Sequence, residues 1–389
     1  MNIPKLRFKD NNDNDYPNWV NSTIGKSGYF YYGKSAPKWS ITDTATTPCV
    51  RYGELYTTHN IIVKKIYSYT NIPKENLKFS TGNEVLVPRV GEEPLDFCKC
   101  CYLPFKDVAI GEMISVYNTK NNPLFISYMF NGTMKYKFAR LVEGGNVSNL
   151  YYSYLENISI NLPCLEEQKK IANFLSTVDK KITNLENTIT SLENQKKGLL
   201  QQIFSQKLRF KDENGNNYPN WEKKKIGLIC SISTGKSNTQ DKIDNGKYPF
   251  YVRSATIERS SKYLYDEEAT LTVGDGVGTG KVFHYVNGKY DLHQRCYRMF
   301  NFKNTHAKYF YYFFSSHFYN RVKRMSAKNS VDSVRMNMIS DMIINLPCLE
   351  EQTKIADFLS AFDRKLENQK AQLEHWKQIK KGLLQQMFV

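Results

Sequence analysis

Within this 389-residue chain, Gly274-Asp275-Gly276-Val277-Gly278-Thr279-Gly280-Lys281 most invites a reading as phosphate chemistry. A Walker-type loop needs glycine five residues before the glycine of its Gly-Lys pair, and Ser or Thr directly after the lysine. Those positions hold Asp275 and Val282. Thr234-Gly235-Lys236-Ser237 fails likewise, because Cys230 stands where the upstream glycine belongs. The 274–281 stretch is expected instead to be a tight glycine-rich strand connection with backbone amides free to approach phosphates. Asn122-Pro123-Leu124-Phe125 lacks the second proline of the Asn/Asp-Pro-Pro-aromatic motif of an adenine methyltransferase, and no glycine-rich opening for a methyl donor accompanies it. Cys98, Cys100 and Cys101 have no Cys/His pair at ribbon or finger spacing, so no metal site is expected. Cys164 and Cys348 read as structural. His293 has no evident nucleophile or acid partner and reads as part of a polar, DNA-facing cluster. These residues point to no catalysis and no bound cofactor.

What they do offer is recognition. Base edges are read by Arg, Lys, Asn and Gln, with further basic and hydroxyl groups on phosphates. The richest cluster is Arg253, Ser254, Arg259, His293, Gln294 and Arg295. A second holds Arg321, Lys323, Arg324, Lys328, Asn329, Ser330 and Arg335, and Lys236 with Ser237 suits backbone contact. By analogy of position, Lys34, Arg51, Tyr52, Arg89 and Arg140 are the candidates in the first half of the chain.

A net charge of +16 disposes the chain toward polyanions. Residues 166–204 hold six Lys/Arg against five Asp/Glu, and residues 350–388 seven against six, so a net +14 of the +16 lies elsewhere. The aromatics are dominated by 27 tyrosines and 22 phenylalanines, and tyrosine, with its apolar ring and polar tip, suits wet binding surfaces as well as cores. No apolar run approaches the roughly 20 residues of a membrane span. The N-terminus lacks an apolar signal core, and the eight cysteines show no secreted-type framework. The expected location is the cytoplasm, with no membrane contact.

The elements that position these residues are duplicated. Lys5-Leu6-Arg7-Phe8-Lys9-Asp10 returns as Lys207-Leu208-Arg209-Phe210-Lys211-Asp212, and Tyr16-Pro17-Asn18-Trp19 as Tyr218-Pro219-Asn220-Trp221, both 202 residues on. Asn161-Leu162-Pro163-Cys164-Leu165-Glu166-Glu167-Gln168 returns as Asn345-Leu346-Pro347-Cys348-Leu349-Glu350-Glu351-Gln352, 184 residues on. The chain is a tandem of opening motif, variable block and long tail, and residues 20–157 and 222–343 share no obvious sequence.

Both tails read as helices, with proline just ahead and acids in the first turn. Ile171, Leu175, Val178, Ile182, Leu185, Ile189 and Leu192 step by four and three, a heptad seam that Lys196 interrupts. Ile355, Leu359, Phe362, Leu366, Leu373 and Trp376 follow the same grid, with Gln369 and Lys380 as polar breaks. Chain order makes the pair antiparallel and returns the second helix to the N-terminal motif. Two separate linkers, each packed on its own domain, would be the alternative. About 39 helical residues would span roughly 58 Å, or about 17 base pairs of duplex.

This arrangement resembles the specificity subunit of type I restriction-modification enzymes over essentially the whole chain. The most specific elements are the segments Leu162–Leu175 and Leu346–Leu359, closed by Lys196–Phe204 and Lys380–Phe388. The second block also resembles a recurring target-recognition type in Tyr248–Ser254, Gly274–Gly278 and His293–Arg295, whereas the first departs more. The resemblance implies an α/β (α+β) fold with strongly curved sheets. It implies target-recognition domains at 1–160 and 206–344, and spacer helices at 161–205 and 345–389. It further implies a non-catalytic subunit reading a bipartite, asymmetric double-stranded DNA target. The helices would dock two methyltransferase subunits that use S-adenosylmethionine, joined by restriction/translocase subunits that use ATP and Mg2+. A coiled-coil scaffold with only non-specific DNA affinity is the other reading, and the positive charge outside the helices argues against it. A stand-alone DNA enzyme has no motif in its favour.

Overall fold

The long helices form at Leu165–Phe204 and Leu349–Met387. Each begins directly after a Pro-Cys pair and carries two glutamates in its first turn, where unpaired amides and the helix dipole favour negative charge. The computed structural model describes residues 4–276, 278–325 and 333–388, so Lys328 and Asn329 lie outside the described residues. The chain divides into two compact units, residues 1–186 with 371–389 and residues 187–370. Both mix helices with sheets, the expected α/β class.

In the first unit one antiparallel sheet orders Gly28–Tyr32, Ile114–Thr119, Glu84–Pro88 and Cys101–Leu103. A second orders Ser68–Thr70, Thr47–Val50, Lys106–Ile110 and Phe79–Thr81, with Thr47–Val50 and Lys106–Ile110 parallel. In the second unit a single six-stranded sheet orders Ser231–Thr234, Cys296–Phe300, Tyr265–Val273, Phe283–Leu292, Tyr248–Tyr251 and Ile257–Ser260. Tyr248–Tyr251 and Phe283–Leu292 pair in parallel there. The hairpin between Tyr265–Val273 and Phe283–Leu292 turns through the glycine-rich stretch, the expected strand connection. Several amides in and beside it are committed, however. Those of Gly274, Thr279, Gly280, Lys281 and Val282 all donate to carbonyls within the unit.

The repeated motifs form the same frame in both units. Val20–Thr23 pairs antiparallel with Ser159–Leu162, and Glu222–Lys225 with Ile343–Leu346. Arg7 forks onto Glu167 at 3.0 and 2.7 Å and also donates to the Tyr16 and Pro17 carbonyls. Arg209 does the same with Glu351 at 3.1 and 2.7 Å and with Tyr218 and Pro219. Both carboxylates are 0% exposed. Removing one partner of such a buried pair costs about 3–5 kcal/mol, because the other charge is left uncompensated. Leu6 donates its amide to Gln386 O at 3.0 Å, as Leu208 does to Gln202 O at 3.1 Å. The N-terminal segment thus follows the second helix in space as Leu208 follows the first in sequence, which is the expected closure.

Each helix contributes its first turns to a domain core. Ile171, Ala172 and Leu175 join Phe125, Phe130 and Tyr117 in the first unit, with Met387 and Phe388 from the end of the other helix. Ile355, Ala356 and Leu359 join Tyr309, Phe310 and Phe314 in the second, with Ile203 and Phe204. Ile171, Leu175, Ile355 and Leu359, expected in a helix–helix seam, thus share their burial between the other long helix and the domain that packs over the helix start. Val178, Leu185, Ile189 and Leu192 are buried further along, while Ile182, Phe362, Leu366, Leu373 and Trp376 are half-buried. The helices run antiparallel in both units. Glu186 meets Lys377 at 3.2 Å and Asp179 meets Lys380 at 2.6 Å in the first. Glu193 meets Lys370 at 2.7 Å and Lys196 meets Asp363 in the second.

Candidate nucleic-acid interface

Two parallel strands end on the same edge of a sheet, so the segments leaving Tyr251 and Leu292 lie side by side. His293 N donates to Tyr251 O at 3.0 Å. Gly235-Lys236-Ser237 lies across them. Gly235 N reaches Cys296 O at 3.0 Å, Lys236 N and Ser237 N both reach Leu292 O at 3.1 Å, and Gln294 N returns to Ser237 O at 2.8 Å. Gly274 N then takes Arg295 O at 2.8 Å, and Val334 N takes Gly274 O at 2.7 Å. Five separate segments are tied into one junction.

The first unit builds the same junction from different residues. Gly111 N donates to Val50 O, Gly33 N to Ile114 O, Lys34 N to Ile110 O and Glu112 N to Ser35 O, at 2.8–3.0 Å. Arg89 N donates to Met113 O at 3.1 Å and Leu150 N to Arg89 O at 2.8 Å. Each bond has its counterpart in the second unit. The glycine is fixed by crowding: a Cβ would fall 2.1 Å from Gly111 O at Gly33, and 2.2 Å from Leu292 O at Gly235.

The side chains the junctions present differ. In the second unit Arg253 and Arg295, 48% and 64% exposed, flank Asp275 at 3.5 and 3.6 Å. Gln294 donates its amide to Asn238 Oδ1. Lys236, Ser254 and Arg335 are exposed, and the 333–334 segment pairs with Gly274–Asp275. In the first unit Lys34 and Tyr52 are exposed, Arg51 is half-buried, and Glu112 and Met113 occupy the positions of Gln294 and Arg295.

Several expected contacts are committed elsewhere. Ser237 is buried and donates to Asp291 at 2.7 Å, a fully buried carboxylate that also accepts from Ser260 and from Leu292 N. His293 is buried too. Its Nδ1 accepts from Arg295 N at 3.0 Å, which leaves Nε2 to donate to Thr239 at 3.3 Å. Burial, and the nearby Arg253, hold it below the ordinary imidazole pKa, so it is a neutral brace. Arg259 clamps the Gly246 and Lys247 carbonyls. The Arg89 guanidinium packs over Tyr32 at 4.3 Å and beside Tyr151 at 5.6 Å. Arg140 is exposed but follows a separate short helix, Lys135–Ala139. Ser237 and His293 therefore serve the frame of their own domain rather than an outward face, whereas Arg259 is exposed while it clamps its loop and Arg89 is half-buried against its tyrosines. Cys98, Cys100 and Cys101 are buried thiols whose pKa values burial pushes up.

The family model for the type I restriction modification DNA specificity domain matches residues 6–194 and 218–375. The chain belongs to that family. Its members are DNA-recognition subunits without catalysis of their own. Among relatives, the chain is similar to the type I restriction enzyme MjaVIII specificity subunit of Methanocaldococcus jannaschii, 27% identical over 73% of this chain and 74% of the relative. It is also 26% identical to the type I restriction enzyme EcoDI specificity subunit of Escherichia coli, over 42% of this chain but only 36% of the relative. The fold is similar to a crystal structure of a type I restriction-modification S subunit from M. genitalium, with a TM-score of 0.70, 18% identity and 99% of both chains covered. No helix among the described residues of this specificity subunit is long and apolar enough to cross a membrane.

Sequence reasoning about this specificity subunit missed Asn238, Asp275, Glu112, Met113 and Tyr151 at the junctions. One signal was available. Gly33-Lys34-Ser35 recurs as Gly235-Lys236-Ser237 at the same 202-residue offset as the opening motif.

Proposed function

We propose that this chain reads a bipartite, asymmetric duplex target, one half-site by residues 20–157 and the other by residues 222–343. It docks two methyltransferase subunits, and through them restriction/translocase subunits, on DNA in the cytoplasm. The observation that carries this reading is the pair of junctions: one backbone frame, occurring twice, furnished with two unlike sets of side chains. Groups that position a protein on phosphates can be common to both halves, whereas groups that read bases must differ if the half-sites differ. Lys34 and Lys236 are the common part; Tyr52, Glu112 and Met113 against Arg253, Gln294 and Arg295 are the differing part. The length of the helix pair sets the gap between half-sites. S-adenosylmethionine stays with the methyltransferase partners and ATP with Mg2+ with the restriction partner, and this chain binds none of them.

The test is selection of bound duplexes from a random pool by the full chain assembled with its methyltransferase. Two short, unlike half-sites at a fixed gap should emerge, with affinity that falls steeply as salt rises. Equal binding to duplexes with both half-sites scrambled contradicts the proposal and favours a scaffold with non-specific affinity.

A further inference from the structure

Asp275 is an odd residue to find on a surface that meets DNA, because a carboxylate repels phosphate. Its Oδ1 is buried without a hydrogen-bond partner, and its nearest cations are Arg253 Nη1 at 3.5 Å and Arg295 Nε at 3.6 Å. Neither guanidinium has a side-chain hydrogen bond among the described residues, and both are substantially exposed. Arg295 faces Asp275 through Nε and keeps both terminal nitrogens free; Arg253 keeps Nη2. The carboxylate thus orients two arginine forks without occupying the donors that a base would need.

The equivalent positions of the first unit hold no such group. Tyr52 stands for Arg253 and Met113 for Arg295, as the matching amide bonds to Val50/Tyr251 and from Arg89/Gly274 place them. Phosphate-positioning chemistry belongs to what the two junctions have in common, the lysine of Gly-Lys-Ser. The Arg–Asp–Arg group is confined to one junction, which marks it as part of base readout. A guanidinium fork matches guanine O6 and N7 in the major groove, and a carboxylate beside it tolerates the N4 amino group of the paired cytosine.

Resting on the reading of the junctions as base-reading surfaces, we infer that the half-site read by residues 222–343 contains guanine. Arg295 and Arg253 donate to its N7 and O6, and Asp275 acts as their positioning residue. The half-site read by the first unit is recognised without this group.

The experiment uses the full chain with its methyltransferase, as wild type and as Arg295→Gln, Arg253→Gln and Asp275→Asn. Methylated genomic motifs are mapped for each, and the wild-type target is then made with 7-deazaguanine, which lacks N7, or with inosine, which keeps N7 and O6. One half-site should contain guanine. There 7-deazaguanine should weaken wild-type binding by about tenfold to a hundredfold, while inosine leaves it unchanged. R295Q or R253Q should lose that discrimination, with the other half-site still read as before. D275N should weaken it while retaining a folded, methyltransferase-bound complex. A bipartite motif whose second half lacks guanine on either strand overturns this inference and leaves the proposed function standing. So does a loss of affinity in R295Q that is equal for all sequences. No sequence motif at all overturns both.

Discussion

Lys380 on the second long helix meets Asp179 on the first at 2.6 Å, and Tyr128 from the first variable block donates to the same carboxylate at 2.7 Å. The arrangement recurs with its members exchanged: Lys196 on the first helix meets Asp363 on the second, and Tyr312 donates to Asp363 at 2.7 Å. Each lysine, aspartate and tyrosine lies 184 residues from its counterpart. Lys196 and Lys380, two of the three polar breaks in the heptad seam, are therefore the reciprocal clasps between the helices.

Because both charges of each clasp are about three-quarters buried, loss of one should cost more than loss of both. We expect Asp179→Leu or Lys380→Met alone to destabilise the protein by about 1–3 kcal/mol, and the double variant to lose less than the sum. A double-mutant cycle by denaturant unfolding checks this; strict additivity contradicts the clasp.

Lys34 and Lys236 are the common lysines of the two junctions. Lys34→Ala or Lys236→Ala should weaken binding of every target by a similar factor and reduce the salt slope by about 1. Titrations at several salt concentrations, with matched and mismatched duplexes, measure both quantities. A change in sequence preference with an unaltered slope would place these lysines on bases instead.

Much of this organisation is written in the sequence, and for physical reasons. A long heptad stripe with proline and glutamates at its start leaves little alternative to a helix, and both helices begin four residues inside the expected spacer segments, just past Pro163 and Pro347. Repeated motifs at two offsets fix the chain's closure, which Leu6 and Gln386 complete. Lys196 and Lys380 read as defects because periodicity counts apolar positions and cannot see a charge reaching across to the facing helix. Tyr128 and Tyr312 lie in blocks with little sequence in common, so their equivalence emerges through Asp179 and Asp363. The individual reading residues were least legible. Ser237 and His293 have the right chemistry, but residue type does not tell whether a side chain faces water or braces its own loop.

Burial holds His59, His284, His293 and His317 below the ordinary value of 6.5. The folded protein keeps them neutral, so between those lowered values and 6.5 the unfolded chain binds more protons. Stability is thus fully present above pH 6.5 and is lost progressively as pH falls below it. Denaturation midpoints should drop between pH 7.5 and 5.5, and His284→Phe, which removes one of these groups beside Tyr251, should make that drop smaller. Equal drops for both proteins would contradict the assignment.

Deleting residues 187–193 and 371–377 removes one heptad from each helix and leaves Glu186 opposite Lys370. Seven residues at 1.5 Å amount to about 10 Å, or about three base pairs. The preferred gap between half-sites should shorten by that amount with both half-sites unchanged, as read from selected duplexes. An unaltered gap refutes the helices as the spacer.

The most direct test of the central claim is genome-wide mapping of methyladenine in cells carrying this chain with its methyltransferase, against cells lacking the chain. The account predicts a split, asymmetric methylated motif that disappears with this subunit. An assembled complex that produces no such motif would contradict it.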